Sequence, residues 1–165
     1  MREILFRGKD VDNGAWHEGQ YIHLHKTTYC FGGSTKRDAE NEIHQIVFEV
    51  MTDWNLPNRH LRADVIPETV GQYTGLTDKN GKKIFEGDYW LDTDDDYLVY
   101  VVEFREGQFG FVCYGWQGAL MPYGFDENAG GFGEIDFSPM TDFNIDLIEI
   151  DGNIHDNPEL LEGGE

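Results

Sequence analysis

Asp92-Thr93-Asp94-Asp95-Asp96 together with Glu103 is the densest set of metal-ligand side chains in the sequence. Counted from Asp92, Asp94 and Asp96 stand third and fifth and Glu103 twelfth, the carboxylate spacing of a calcium-binding EF-hand loop. That loop needs glycine at its sixth position for a sharp turn, and this chain has Tyr97 there. Tyr97 to Phe104 also reads as strand, so the expectation is a solvated acidic face of Asp92, Asp94, Asp95 and Asp96 rather than a calcium site. His23 and His25 are two apart, and a strand would put both on one face. With His44 or Cys30 they would make part of a zinc site. No CxxC or HExxH spacing completes that set, and two exposed imidazoles beside Lys26 account for the pattern without a metal. The expectation is that no metal is bound.

Nucleophilic catalysis finds no support. Serine occurs only at Ser34 and Ser138, neither within Gly-x-Ser-x-Gly. Cys30 and Cys113 lack a nucleophile's surroundings and suit small buried apolar positions. The glycines around Gly130 have no accompanying Lys-Ser or Lys-Thr to cradle a phosphate. No catalytic residue and no cofactor is expected, and the chain is read as not an enzyme. A different signal comes from Trp116, Met121, Tyr123, Phe125 and Phe132, which concentrate rings in a glycine-rich stretch. They either fold back over the open end of a barrel or form a contact surface for a partner, a second copy included, since Trp, Tyr and Met favour interface cores.

The elements that would position these residues are strands. Residues 3–7 lead into Asn13-Gly14, a pair suited to a two-residue hairpin turn, with a return strand over residues 15–24. A short strand is expected at Tyr29 to Phe31, a solvated loop or helical turn over 36–42, and a strand over Glu42 to Val50. Residues 55–64, with Pro57 and scattered charges, read as loop. Past a junction at Pro67, strands are expected over 68–75, 82–91 (with a bulge at Gly87), 97–104, 109–114 and 143–150. Gly115 to Pro139 reads as a long loop with short ordered pieces, and Asp156 to Leu161 as one helical turn with Asn157 as its cap. Strands about ten residues apart predict an all-β fold with minor helix, a small short-stranded barrel.

Charge narrows the partners. The 165 residues carry 12 Lys and Arg against 32 Asp and Glu, a net charge of −20. Residues 1–91 contribute 11 basic and 14 acidic residues, whereas residues 92–165 contribute Arg105 alone against 18 acidic ones, or −17. Such a surface disfavours direct nucleic-acid binding, because phosphates would meet repulsion rather than release counterions. Anionic membranes are disfavoured likewise. The longest apolar run, Tyr97 to Val102, has six residues, against the ~18 that a spanning helix needs. Nor does Met1-Arg2-Glu3 open a secretory leader.

The stretch from Glu68-Thr69-Val70-Gly71-Gln72-Tyr73-Thr74-Gly75 through Leu76-Thr77-Asp78-Lys79-Asn80-Gly81 to Lys82-Lys83-Ile84-Phe85-Glu86-Gly87-Asp88 resembles the signature of the YopX family of bacteriophage and prophage proteins. Met1 to Lys9 with Asp12-Asn13-Gly14-Ala15-Trp16 resembles the family's start, and Asp151 to Leu161 its end. The resemblance implies a mainly β protein with an N-terminal β region (1–66) and an SH3-like barrel over 67–165, or one compact domain over 1–165. It implies the cytoplasm of an infected or lysogenic bacterium as its location. It carries over no reaction. The motif itself reads as structural, with a turn at Asn80-Gly81, core at Tyr73, Ile84 and Phe85, and Asp88 expected to accept hydrogen bonds from amides of the next turn. The expected function is an accessory protein that binds a host or phage protein. The alternative is an acidic DNA mimic that inhibits a host DNA-binding or restriction protein, which requires carboxylates clustered on one elongated face.

Overall fold

The computed structural model describes residues 3–26, 42–92, 98–116 and 132–161. Among these the chain is all-β, built of antiparallel strands and short 3-10 turns with no α-helix. It forms two compact units, residues 1–72 and 73–165. The division falls within strand β5 (Gly71–Thr77), a little beyond the junction read at Pro67.

In the first unit, β1 (Phe6–Lys9), β2 (Trp16–His25), β3 (Glu42–Val50) and β4 (Arg59–Asp64) lie in the order β4-β3-β2-β1. Gly71 and Gln72 then pair with Arg7 and Phe6 on the outer side of β1. The β1–β2 hairpin is not the expected two-residue turn. It closes across Asp10 and Ala15, and the Asp10 carboxylate accepts the Asp12 and Asn13 amides while Gly14 takes φ +71°. Residues 59–64, expected as loop, are β4. The buried Ala63 and Val65 alternate with the exposed Arg62 and Asp64, a period-two pattern that the charges obscure. Where β2 crosses β3, Gly19 is obligatory, because a Cβ there would lie 2.0 Å from the Val47 carbonyl oxygen.

In the second unit, the end of β5 pairs with β6 (Lys83–Phe85). A separate sheet runs β10-β9-β8-β7-β11, with β7 at Asp88–Leu91, β8 at Val99–Arg105, β9 at Gln108–Trp116, β10 at Phe132–Pro139 and β11 at Gly152–Asn153. Its ends do not pair among the described residues, so the expected barrel is not closed: the two-residue β11 offers too little ladder to meet β10. The sheet is buried on both faces. Val99 and Val101 of β8 join Tyr89, Phe132, Leu160 and Leu161, while Val102 joins Ile84, Phe111, Met140, Ile148 and Ile150. Two-sided burial explains the continuous apolar run of β8.

Three further expectations are corrected. Residues 82–91 form two strands rather than one bulged strand, because Gly87 (φ +79°) turns the chain between β6 and β7. Residues 143–150 are no strand; 3-10 turns at Met140–Asp142 and Ile145–Leu147 carry Phe143, Ile145 and Ile148 onto one sheet face. The end of the supposed loop 115–139 is β10, paired with β9. The readings at 29–31 and 36–41 lie outside the described residues.

Candidate functional site

The β2–β3 ladder sets His23 directly opposite His44 and His25 opposite Glu42. Alternation then puts Tyr21, His23, His44 and Glu42 on one face of the sheet. This face grades from the fully buried Ile46, opposite Tyr21, to the exposed His25. His23 and His44 stack with ring centres 4.4 Å apart and planes 17° from parallel. Both Nε2 atoms reach the same carboxylate oxygen, Oε2 of Glu42, at 3.3 Å from His23 and 3.2 Å from His44. The other nitrogen of His44, Nδ1, is 2.6 Å from the Tyr21 hydroxyl, so the ring is held at both ends. Glu42 and His44 are half-buried and His23 is exposed, with side-chain exposures of 21 %, 15 % and 39 %.

Electrostatics follow from this crowding. Burial raises the Glu42 carboxyl, but the hydrogen bonds and charge of His44 and His23 outweigh it and hold the group below its ordinary value. The Tyr21 phenol is pushed up by burial and by the neighbouring Glu42 charge. A cleft of about 360 Å³ opens beside Glu42 and His44, bordered by Val11, Lys26, Asp64 and Val65. Sequence reasoning named His23, His25, His44 and Cys30. The structure joins His23 to His44, leaves His25 edge-on to His23 at 5.7 Å between ring centres, and adds Glu42. Cys30 lies outside the described residues.

A second feature is the tip of the β3–β4 hairpin. Val50 and Arg59 form its closing pair, and the chain beyond them turns through Asn55 at φ +69°. The tip holds its own shape: the Leu56 amide donates to the Asp53 carbonyl, the Trp54 amide to the Asp53 carboxylate and the Thr52 hydroxyl to the Pro57 carbonyl. It presents Met51, Trp54 and Leu56 to solvent, with Trp54 95 % exposed. Arg59 and Arg62 of β4 are exposed beside it.

The remaining sequence candidates fall as follows. Phe132 is half-buried and packs against the Tyr89, Val99 and Val101 cluster. Trp116 ends β9, and Met121, Tyr123 and Phe125 lie outside the described residues. So do Asp94, Asp95 and Asp96. Asp92 follows β7, its amide donating to the Leu98 carbonyl. Glu103, twelfth in the EF-hand count, is on β8, where it binds the Arg105 guanidinium at 2.8 Å and accepts the Tyr114 hydroxyl at 3.2 Å. Cys113 is a buried free thiol.

The motif residues hold the second unit together. Asp78 accepts the amides of Asn80 and Lys82 on one carboxylate oxygen and the amide of Ile150 on the other. Asp88, 1 % exposed, accepts the Phe85 amide and the Asn153 side-chain amide, so it reaches back to β6 rather than forward to the next turn. Gly87 donates to the Val102 carbonyl and accepts from Ile154. Tyr73, Ile84 and Phe85 are buried as expected. Residues 78–88 and 148–157 are thus fastened to each other by backbone and carboxylate bonds. The family model described as YopX protein matches residues 5–162. No curated protein matches the chain.

Proposed function

The chain belongs to the YopX family, and from that membership we propose that it is a phage accessory protein acting in the bacterial cytoplasm by binding a host or phage protein. The observation that carries this reading is the β3–β4 hairpin tip. Scattered exposed apolar residues are ordinary, but Met51, Trp54 and Leu56 stand together on one turn. Trp and Met are enriched at interface centres, and tryptophan is a frequent hot spot. Because the tip is braced by its own hydrogen bonds, little ordering entropy is lost when a partner covers it. Arg59 and Arg62 at its base suit a partner with an apolar pocket rimmed by carboxylates. The strongly bonded motif residues serve the fold in this reading. No helix among the described residues is long and apolar enough to cross a membrane.

Affinity capture from host lysate with wild-type protein and Trp54→Ala tests the reading. A captured protein that is lost with Trp54→Ala, at unchanged circular dichroism, supports it. Capture that survives Trp54→Ala but disappears at high salt favours the acidic DNA-mimic alternative, whose charge lies in residues 92–165. A concentration-dependent dimer abolished by the same substitution would make a second copy the partner.

A further inference from the structure

We propose that His23, Glu42 and His44 bind a divalent transition-metal ion, Zn²⁺ foremost, through the two Nε2 atoms and the shared carboxylate. Tetrahedral zinc with bonds of about 2.0–2.1 Å spaces its ligand atoms about 3.3 Å apart. Glu42 Oε2 already stands 3.3 Å from His23 Nε2 and 3.2 Å from His44 Nε2. All three ligand atoms lie within 4.8 Å of one another. Two edges of a coordination polyhedron are therefore present before any ion enters. The two rings are nearly parallel, so their lone pairs converge only when one turns. His23, the more exposed of the two, is the ring that would turn, whereas His44 is held by Tyr21.

The surroundings suit the same ion. Zinc-ligating imidazoles hold their second nitrogen in a hydrogen bond that sets the tautomer and aims the ring. The Tyr21 hydroxyl oxygen is placed to accept from His44 Nδ1–H here, the tautomer that leaves the Nε2 lone pair for the metal. Two nitrogens and one carboxylate select Zn²⁺ and its neighbours over Ca²⁺ and Mg²⁺, which require oxygen ligands throughout. Three protein ligands leave the fourth position open, for water or for a donor brought by a partner. The ligands come from facing positions of one ladder, so the site forms with the β2–β3 pairing and needs no separate loop closure.

The experiment is a Zn²⁺ titration of the tag-free, metal-stripped full chain against a chromophoric chelator, with Co²⁺ absorption reporting the geometry. One equivalent is expected, with a Tm that rises with free Zn²⁺. His23→Gln and Glu42→Gln should each weaken binding at least tenfold, and Tyr21→Phe by about 10–100-fold, the usual loss for an orienting partner. His60→Ala, on the exposed β4, should leave it unchanged. Absence of stoichiometric uptake, or uptake indifferent to His23→Gln and Glu42→Gln, overturns the proposal. So does loss of binding in His60→Ala. His23 is the most exposed of the three, so its variant keeps the test decisive even if His44→Gln fails to fold.

Discussion

Asp88→Ala removes an acceptor from two buried donors at once. Asp88 Oδ2 lies 2.9 Å from the Phe85 amide, and Oδ1 lies 3.2 Å from Asn153 Nδ2. Asp88 is 1 % and Asn153 5 % exposed, so water cannot replace the lost oxygens without opening the structure. A buried donor left unsatisfied costs about 1–3 kcal/mol, and the two together should cost about 3 kcal/mol. In a chain of this length that lowers Tm by roughly 6–12 °C. Asp88→Asn should cost less, because its carbonyl oxygen can still accept the Phe85 amide while its NH₂ faces the amide of Asn153. The assay is thermal unfolding of wild type, Asp88→Ala, Asn153→Ala and the double variant. Since Asn153 also accepts the His155 amide, its own truncation is costly, but the Asp88–Asn153 bond can be lost only once. The double variant should therefore fall short of the summed losses by about 1 kcal/mol. A Tm within 2 °C of wild type for Asp88→Ala, on the scale of about 2–4 °C per kcal/mol, would refute the reasoning, as would strict additivity.

Other perturbations have equally definite outcomes. Gly19→Ala places a Cβ 2.0 Å from the Val47 carbonyl oxygen, so the β2–β3 ladder must part; a loss of about 3 kcal/mol or more and faster amide exchange in β2 and β3 are expected. Burial raises the Asp78 carboxyl, but the Ile150, Lys82 and Asn80 amides outweigh it and hold the group below its ordinary value. Its stabilisation is therefore complete above the unfolded pKa of about 3.9 and is lost as pH falls through the lower folded value. Asp78→Asn should flatten the acid limb of a Tm-against-pH curve, and an unchanged limb would contradict this. The Tyr114 phenol is pushed up to about 12 by burial and by the Glu103 charge. It favours the fold below the unfolded pKa of about 10, and that contribution disappears as pH rises through the folded value. Tyr114→Phe should remove a phenolate step near pH 12 from a 295 nm titration.

Much of the fold was legible from period-two patterning. Strand β3 runs over Glu42–Val50 as read, and β8 and β9 lie within about two residues of their expected bounds. The misreadings have physical causes. In β4 the charges of Arg59, Arg62 and Asp64 hid the buried Ala63 and Val65. In residues 143–150 the sequence alternates like a strand, yet Leu147 is 73 % exposed and 3-10 turns bring its neighbours to the core. Strand β10 was obscured by Gly131 and Gly133, residues that commonly mark loops. Of the metal-ligand cluster, the His23–His25 spacing was visible and His44 was named, but Glu42 was not. Its place depends on the register between β2 and β3, which sequence spacing across residues 27–41 does not encode. Trp54 went unnoticed because one ring in a polar loop with Pro57 carries no periodic signal; only its 95 % exposure marks it.

The division of labour between a structural motif and a binding hairpin is tested most directly by one paired measurement. Partner capture and Tm are determined side by side for Trp54→Ala and Asp88→Asn, with capture well below both melting temperatures. If the motif serves the fold and the hairpin tip serves binding, Trp54→Ala loses the partner at unchanged Tm, and Asp88→Asn keeps the partner at a lowered Tm. The reverse pattern, with capture retained by Trp54→Ala and lost in folded Asp88→Asn, would contradict it.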